Sequence, residues 1–387
     1  MKKMKFGLLP RILVAILLGI ILGSCLPLAV IRVFVTFNSI FGQFLGFMIP
    51  LIIVGLVAPA IGDIGKNAGK LLLVTVAIAY FDTILSGFLS YGTASWIFPD
   101  IINGMVSEHV EKAQSVLPYF TITIPPLIDV MSGLLLSFVV GLCIAYISLS
   151  SLKGVFSDFR EVITATISKA IIPLLPLYIF GIFLSMTYTG QAYHILVVFA
   201  RIIVIIFILH LVILLYEFAV AGFVAKKNPF RMLLNMLPAY FTALGTSSSA
   251  ATIPVTLRQT IRNGVNEDIA GFTVPLCATI HMSGSMMKVI ACAFAICLME
   301  GMPTDIFTFT NLILMLGIVI IAAPGVPGGV IMAALAPLST ILGFNEEQQA
   351  LIIALYIAMD SFGTACNVTG DGALSVIINR LFSRNRA

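Results

Sequence analysis

Residues 360–371 read DSFGTACNVTGD, and they lie inside a mostly apolar segment, 348–379, that is long enough to cross a bilayer. Asp360, Thr364, Asn367 and Asp371 recur at i, i+4, i+7 and i+11. At about 100° per residue they share a stripe roughly 60° wide on one helix face, and at ~1.5 Å rise they span roughly 16 Å of depth. Gly363 and Gly370 flank the stripe and remove side-chain bulk beside it. A carboxylate at mid-membrane depth costs roughly 2.5–3.5 kcal/mol on insertion scales. Two of them on one stripe need partners: cations, a solute amine, or polar groups of facing elements. The competing structural account is a polar seam that only fixes helix packing, a task that Ser or Thr performs at lower cost.

The whole chain has the composition that such a segment requires. Of its 387 residues 60% are hydrophobic and only 10% charged, so it is an all-α polytopic membrane protein rather than a soluble domain with one anchor. The net charge of +4 is carried mostly in loops, and no run of like charge points to nucleic acid. Cys25, Cys143, Cys277, Cys292, Cys297 and Cys366 lie in apolar surroundings without a CxxC pair, and the four histidines are scattered. Disulfides and a zinc enzyme are therefore not expected, and no cofactor is expected beyond a coupling ion. Lys2, Lys3 and Lys5 before an apolar run ending in Leu22-Gly23-Ser24-Cys25 imitate a lipoprotein signal. The apolar run continues to about Val35, so it is taken as a first transmembrane helix.

Apolar spans follow at about 9–35, 38–62, 68–98, 121–150, 160–190 and 193–224. Beyond Lys226-Lys227-Asn228-Pro229 the pattern changes. Residues 230–262 form two short apolar pieces joined at Ser247-Ser248-Ser249. Residues 267–299 are interrupted near His281-Met282-Ser283-Gly284, and 306–343 are two pieces joined at Pro324-Gly325-Val326-Pro327-Gly328-Gly329. Basic residues mark the cytoplasmic side: the N-terminus, Lys66/Lys70, Lys153/Arg160, Lys226/Lys227/Arg231, Arg258/Arg262 and Arg380/Arg384/Arg386. Both termini are then cytoplasmic, with Arg32 and Lys112 as exceptions on the outer side. The segment 230–262 must begin and end inside, and 306–343 must begin and end outside. Both are expected to be re-entrant hairpins whose tips meet, because non-helical backbone at depth is tolerated only where protein or a cavity lines it. Paired broken segments of this kind mark the binding site of a transporter built from inverted repeats. Glutamate-transporter homologues are among the type cases of that rule, so their fit to it is expected.

Four motifs in this order resemble the dicarboxylate/amino acid:cation symporters of the glutamate-transporter type, over nearly the whole chain. They are Ser247-Ser248-Ser249 with Ile253-Pro254-Val255-Thr256; Pro275-Leu276-Cys277-Ala278-Thr279-Ile280 before Met282; Gly325-Val326-Pro327-Gly328; and Asp360 seven residues before Asn367-Val368-Thr369-Gly370-Asp371. The resemblance implies eight transmembrane helices, two re-entrant hairpins and a homotrimer in the lipid bilayer of a bacterial inner membrane. It implies a scaffold, 1–65 and 118–192, and a transport domain, 66–117 and 193–387, that moves as an elevator. Asp360 falls where the family binds the substrate amino group and Asn367 where it holds the α-carboxylate. Ser247, Ser248, Ser249, Val326 and Pro327 fall at the hairpin tips, while Ser285, Gly363 and Thr364 fall beside the substrate side chain. Asp371 matches the side-chain ligand of one Na+ site, completed by carbonyls near Cys277, His281 and Asn367. A second Na+ site would use Thr279, Met282, Ile320, Ile321 and Ala323. Hard oxygen ligands suit an alkali cation.

The departures are informative. Acidic-substrate members carry an arginine where this chain has Gly363 or Ser247, so no fixed positive charge is expected there. A small neutral amino acid (serine, threonine or alanine type) is favoured, with an acidic amino acid or C4-dicarboxylate as the alternative. The usual Asn-Met-Asp-Gly is here His281-Met282-Ser283-Gly284, so the carboxylate of a third cation site is missing. Asp82 on the third span could restore it. His281 could couple a proton beside Asp82 or sit neutral in the core. Lys288 needs either an acid partner or an outward path to the surface, the outward path being preferred. Arg201 and Glu217 are assigned to packing or interfaces. A channel is the leading alternative class. An intramembrane aspartyl protease is excluded because Asp360 and Asp371 sit too far apart on one helix to share a proton.

Overall fold

The computed structural model describes residues 8–64, 70–106, 116–147, 150–190, 192–321, 323 and 328–383. All regular elements among them are helical: α1 (Leu8–Gly23), α2 (Leu28–Ile64), α3 (Lys70–Val106), α4 (Val130–Ile147), α5 (Ser150–Thr166), α6 (Ile172–Tyr188), α7 (Ala192–Ala225), α8 (Pro229–Thr246), α9 (Ser249–Arg262), α10 (Glu267–Ile280), α11 (Ser283–Met299), α12 (Ile306–Ile321), α13 (Gly329–Leu342), α14 (Glu346–Ala358) and α15 (Asp360–Ser383). Among the described residues five stretches are long and apolar enough to cross a membrane: Leu28–Pro59, Lys70–Ile102, Ser150–Tyr188, Ile195–Ala225 and Glu267–Met299. The pair α14–α15, bent by 61°, makes a sixth, and shorter apolar helices accompany them. The chain is a polytopic helical membrane protein.

Three boundaries differ from the sequence expectation. The first span ends at Gly23 rather than near Val35, and α2 starts afresh at Leu28. Pro27 is the cause, since a proline disfavours helical backbone in the residue before it. The stretch around Lys153 and Arg160 is helical rather than a loop. Leu152, Val155, Phe156, Phe159 and Ile163 recur at helical spacing, giving α5 one apolar face. A π-turn, Ile167–Ile171, then joins α5 to α6 just before Pro173. Finally, 348–379 is not one straight helix. It bends at Met359, so that Asp360 opens α15 and the polar stripe lies wholly within that helix.

The helix breaks are chemically capped. Asn228 accepts from the Arg231 backbone N–H ahead of Pro229, and Ser248 accepts from Ala251 N–H at the start of α9. Asp305 accepts from the Thr308 N–H at 3.0 Å and its hydroxyl at 2.7 Å, then from the Phe307 N–H at 3.0 Å, and these bonds hold its exposed carboxyl below the usual carboxylate range. Asn345 and Gln348 form a reciprocal capping box on α14.

Helix α1 packs on α6, and α2 packs on α4, α5 and α6. In a second group α3 packs on α11 and α12, while α15 contacts α7, α8, α9, α10 and α11. Between the groups, the Gln43 amide donates to the Glu346 carboxylate at 2.9 Å and the Tyr178 hydroxyl donates to the Glu346 carbonyl at 2.9 Å. Every residue from Ser283 to Cys297 is buried, which makes α11 the axis of the core. Ser86 and Ser90 of α3 donate to the carbonyls of Ser283 and Met287, at 3.0 and 2.8 Å, and lock α3 against it.

Candidate functional site

The two broken pairs converge on one narrow cavity of about 40 Å³. Ser247, Ser248 and Ser249 line it from the α8–α9 break, and Gly328, Gly329 and Val330 line it from the α12–α13 break. Ala278, Met282 and Ser285 contribute from either side of the α10–α11 interruption. Tyr356, Asp360, Thr364 and Asn367 complete the wall. Val326 and Pro327, assigned to the second tip, lie outside the described residues. Ser247 has a positive φ of 50°, costly for a residue with a Cβ, and its hydroxyl is 2.6 Å from that of Ser361.

Asn367 ties α15 to α11. Its Oδ1 accepts from the backbone N–H groups of Gly284 and Ser285 at 2.8 and 3.2 Å, satisfying donors that the first turn of a helix leaves free. Its Nδ2 donates to Ser285 Oγ at 3.0 Å and to Met282 Sδ at 3.3 Å. The Tyr356 hydroxyl donates to the same Ser285 Oγ at 3.1 Å. Asp360 Oδ2 accepts from the Gly328 N–H at 3.0 Å, so the carboxylate holds the tip of the second broken pair.

Lys288 does not reach the surface. It is fully buried, its Nζ 3.4 Å from Asp360 Oδ1, 3.4 Å from the Met359 carbonyl and 3.7 Å from the centroid of the Tyr356 ring. The preferred outward course is thereby overturned: Ser283–Cys297 of α11 are all buried among the described residues, and Lys288 turns to Asp360. A Cβ on Gly363 would run into Lys288 Nζ. The space beside Gly363, expected to be free for a solute side chain, is filled by this lysine. A basic side chain does stand at that spot, brought by another helix and paired with Asp360.

Asp371 lies away from the cavity, in a second polar cluster. His281 Nδ1 is 3.0 Å from Asp371 Oδ1, and His281 Nε2 is 2.9 Å from Asp82 Oδ2 and 3.9 Å from Glu217 Oε1. All four side chains are buried. The extended backbone at His281, φ −98° and ψ 114°, ends α10 and turns the ring inward. A Cβ at Gly370 would meet the Glu217 carboxylate and lie 2.8 Å from His281 Cε1, so only glycine leaves room for the cluster. Asp371 Oδ2 and Glu217 Oε2 are buried and have no hydrogen-bond partner among the described residues. Such orphaned hard oxygens fit a small alkali cation. Cys277 is buried in the last turn of α10, its carbonyl accepting from His281 N–H at 2.8 Å. Thr279 is exposed, its hydroxyl bonded to the Leu276 carbonyl. Ile320 is buried and Ile321 half-buried at the end of α12, followed by half-buried Ala323.

Glu217, assigned to packing, belongs to the His281 cluster, where the Ser283 hydroxyl donates to it at 2.9 Å. The serine that replaces the expected aspartate thus serves an acid delivered by α7. The signal was available: an acid in a 34-residue apolar helix carries the same insertion cost that singled out Asp360. Tyr356 and His210, whose Nε2 is 3.1 Å from the Gly284 carbonyl, were not singled out either. Aromatic and histidine side chains on apolar helices carry no comparable signal. Arg201 is exposed, away from the site.

A helical membrane protein in which two broken helix pairs and an interrupted helix close around buried carboxylates has the build of a secondary transporter. The chain belongs to the sodium:dicarboxylate symporter family, which it matches over residues 8–381. It is 26% identical to the serine/threonine transporter SstT of Acinetobacter baumannii over 399 aligned positions, covering 95% of each chain. It is also 36% identical to excitatory amino acid transporter 3 of Mus musculus over 159 residues, and 32% identical to excitatory amino acid transporter 2 of Homo sapiens over 159 residues. Each of those two matches covers 41% of this chain, and they cover 30% and 28% of the respective relatives.

Proposed function

We propose that the chain is a secondary-active symporter coupling inward Na+ movement to uptake of a small neutral amino acid of serine, threonine or alanine type. One observation carries this reading: both helix breaks line a single cavity together with Asp360, Thr364 and Asn367. A site flanked by two separate broken elements can be exposed to each side in turn, which a channel does not require. Family membership and the name of the near full-length relative support the coupling ion and the solute class. Lys288 does not reverse the preference for a neutral side chain on the solute, because it is already paired with Asp360.

In this reading Asp360 faces the solute amino group and Asn367 its carboxylate, with Ser247, Ser248, Ser249, Val326 and Pro327 contributing at the tips. Ser285 and Thr364 face the side chain. Na+ would be held by Asp371 with carbonyls near Cys277, His281 and Asn367. A second ion would be held by Thr279, Met282 and the backbone around Ile320, Ile321 and Ala323. Bound there, Na+ supplies the positive charge that lets these buried acids stay ionised. A scaffold of α1, α2, α4, α5 and α6 and an elevator-like mobile domain of α3 and α7–α15 follow the two packing groups. Eight crossings with two re-entrant hairpins, inverted repeats, a homotrimer and a bacterial inner membrane with both termini cytoplasmic complete the proposal.

The test is uptake into proteoliposomes. Serine, threonine or alanine should accumulate only with an inward Na+ gradient, and aspartate should compete poorly. Aspartate outcompeting all three would overturn the choice of solute.

A proton in place of one Na+ is the second reading, favoured by a specific geometry. Both ring nitrogens of His281 lie within 3.0 Å of carboxylates. A neutral imidazole has one N–H, so both contacts are hydrogen bonds only if the cluster holds one further proton. Uptake whose pH profile is unchanged in His281→Gln would remove this reading.

A further inference from the structure

The Asp360–Lys288 pair changes what the cavity asks of its solute. Lys288 has three N–H donors, and three acceptors surround it: the Asp360 carboxylate, the Met359 carbonyl and the face of the Tyr356 ring. Each donor thus faces a partner, the two oxygens lying at 3.4 Å, the long end of hydrogen bonding. It approaches Asp360 from behind the cavity wall, through space that exists only because position 363 carries no side chain. Asp360 Oδ2 meanwhile accepts from Gly328 N–H. The acid that faces the solute thus has an internal counter-ion and a backbone donor before any solute arrives. A buried carboxylate without a cation would make an ammonium on the solute obligatory, because an unpaired buried charge is costly. Here that requirement is met from within the chain.

We propose, building on the symporter reading, that Lys288 is a specificity-determining residue that makes the solute's α-amino group dispensable, so that the cavity takes small monocarboxylates, α-hydroxy acids foremost, as well as amino acids. Asn367 and the serines of the α8–α9 break hold the carboxylate in either class. The group at the α-carbon then meets a carboxylate that is already neutralised and can accept from a hydroxyl as well as from an ammonium. Lys288 acts through Asp360 and does not touch the solute. Its role is positioning and charge compensation.

The test is a competition measurement on the full-length detergent-solubilised protein with saturating Na+, comparing L-serine with L-glycerate, which carries a hydroxyl in place of the α-amino group. In the wild type the two apparent Kd values are expected to lie within about tenfold. Lys288→Met should widen the ratio to at least about a hundredfold in favour of serine, by making the ammonium obligatory. Lys288→Arg, which keeps the charge, should preserve the wild-type ratio, a distinction that a purely structural role would not produce. Should Lys288→Met not fold, the wild-type ratio decides alone. Serine binding with glycerate weaker by more than about a hundredfold in the wild type overturns this inference and leaves the symporter reading intact. Failure of both solutes, and of every other small amino acid, to bind with Na+ overturns the symporter reading and this inference with it.

Discussion

His281 is hydrogen-bonded to Asp371, Nδ1 to Oδ1 at 3.0 Å, across 90 residues of sequence. The same ring reaches Asp82 with its other nitrogen at 2.9 Å. One side chain thereby bridges acids on α3 and α15 and holds those helices to the α10–α11 interruption. Removing it leaves two buried carboxylates without the ring that joins them, and breaking a buried charged pair typically costs about 3–5 kcal/mol. His281→Ala is expected to lower the thermal midpoint sharply, and Na+ should raise that midpoint more in the variant than in the wild type. A calorimetric scan with and without NaCl checks both. An Na+ shift no larger than in the wild type would separate the cluster from the ion site.

Gly370 keeps that cluster open. A methyl group there would press on the Glu217 carboxylate and on His281 Cε1. Gly370→Ala should destabilise by about 1–3 kcal/mol, as overpacking does. It should also weaken Na+ binding, because the His281 ring that it displaces is held to Asp371. Thermal unfolding over an Na+ titration reads the two effects separately.

Gly363 and Lys288 form a pair that a double-mutant cycle can resolve. Gly363→Ala alone puts a Cβ onto the lysine and should lower stability. Lys288→Gln, with a shorter side chain, vacates the contested space. The double variant is expected to be less damaged than the sum of the single ones, with a coupling of about 0.5–3 kcal/mol. Additive losses would place the lysine elsewhere.

Glu346 joins the two packing groups through Gln43 and Tyr178. If the groups slide past one another, this tie breaks in every cycle. Glu346→Ala removes the acceptor for Gln43, worth about 1 kcal/mol. The expected result is a changed maximal uptake rate with little change in half-saturating solute concentration. A changed half-saturation at constant rate would point to the cavity instead.

Much of the site was legible because burial of charge in an apolar span is expensive and therefore conspicuous. Asp360 and Asp371 stood out for that reason, and the Ser-rich and Gly/Pro-rich interruptions stood out because backbone at depth needs company. Glu217 carried the same signal but had no neighbour in sequence to explain it. Lys288 was misjudged because the sequence shows a cation on an apolar helix without showing that every face of that helix is covered. The bend at Met359 was hidden as well, since no proline or glycine marks it.

The sequence by itself determined that this chain crosses membranes, where its broken helices lie, and that α15 carries a stripe of acids and amides. Those properties follow from hydropathy, helical period and turn chemistry, all of which are local. Only the tertiary structure decided which partner each acid has: Lys288 for Asp360, His281 for Asp371 and Asp82, and Ser283 for Glu217. Pairing depends on which helices are neighbours and on the glycines that let them approach, and neither is written in the spacing of residues along one chain segment.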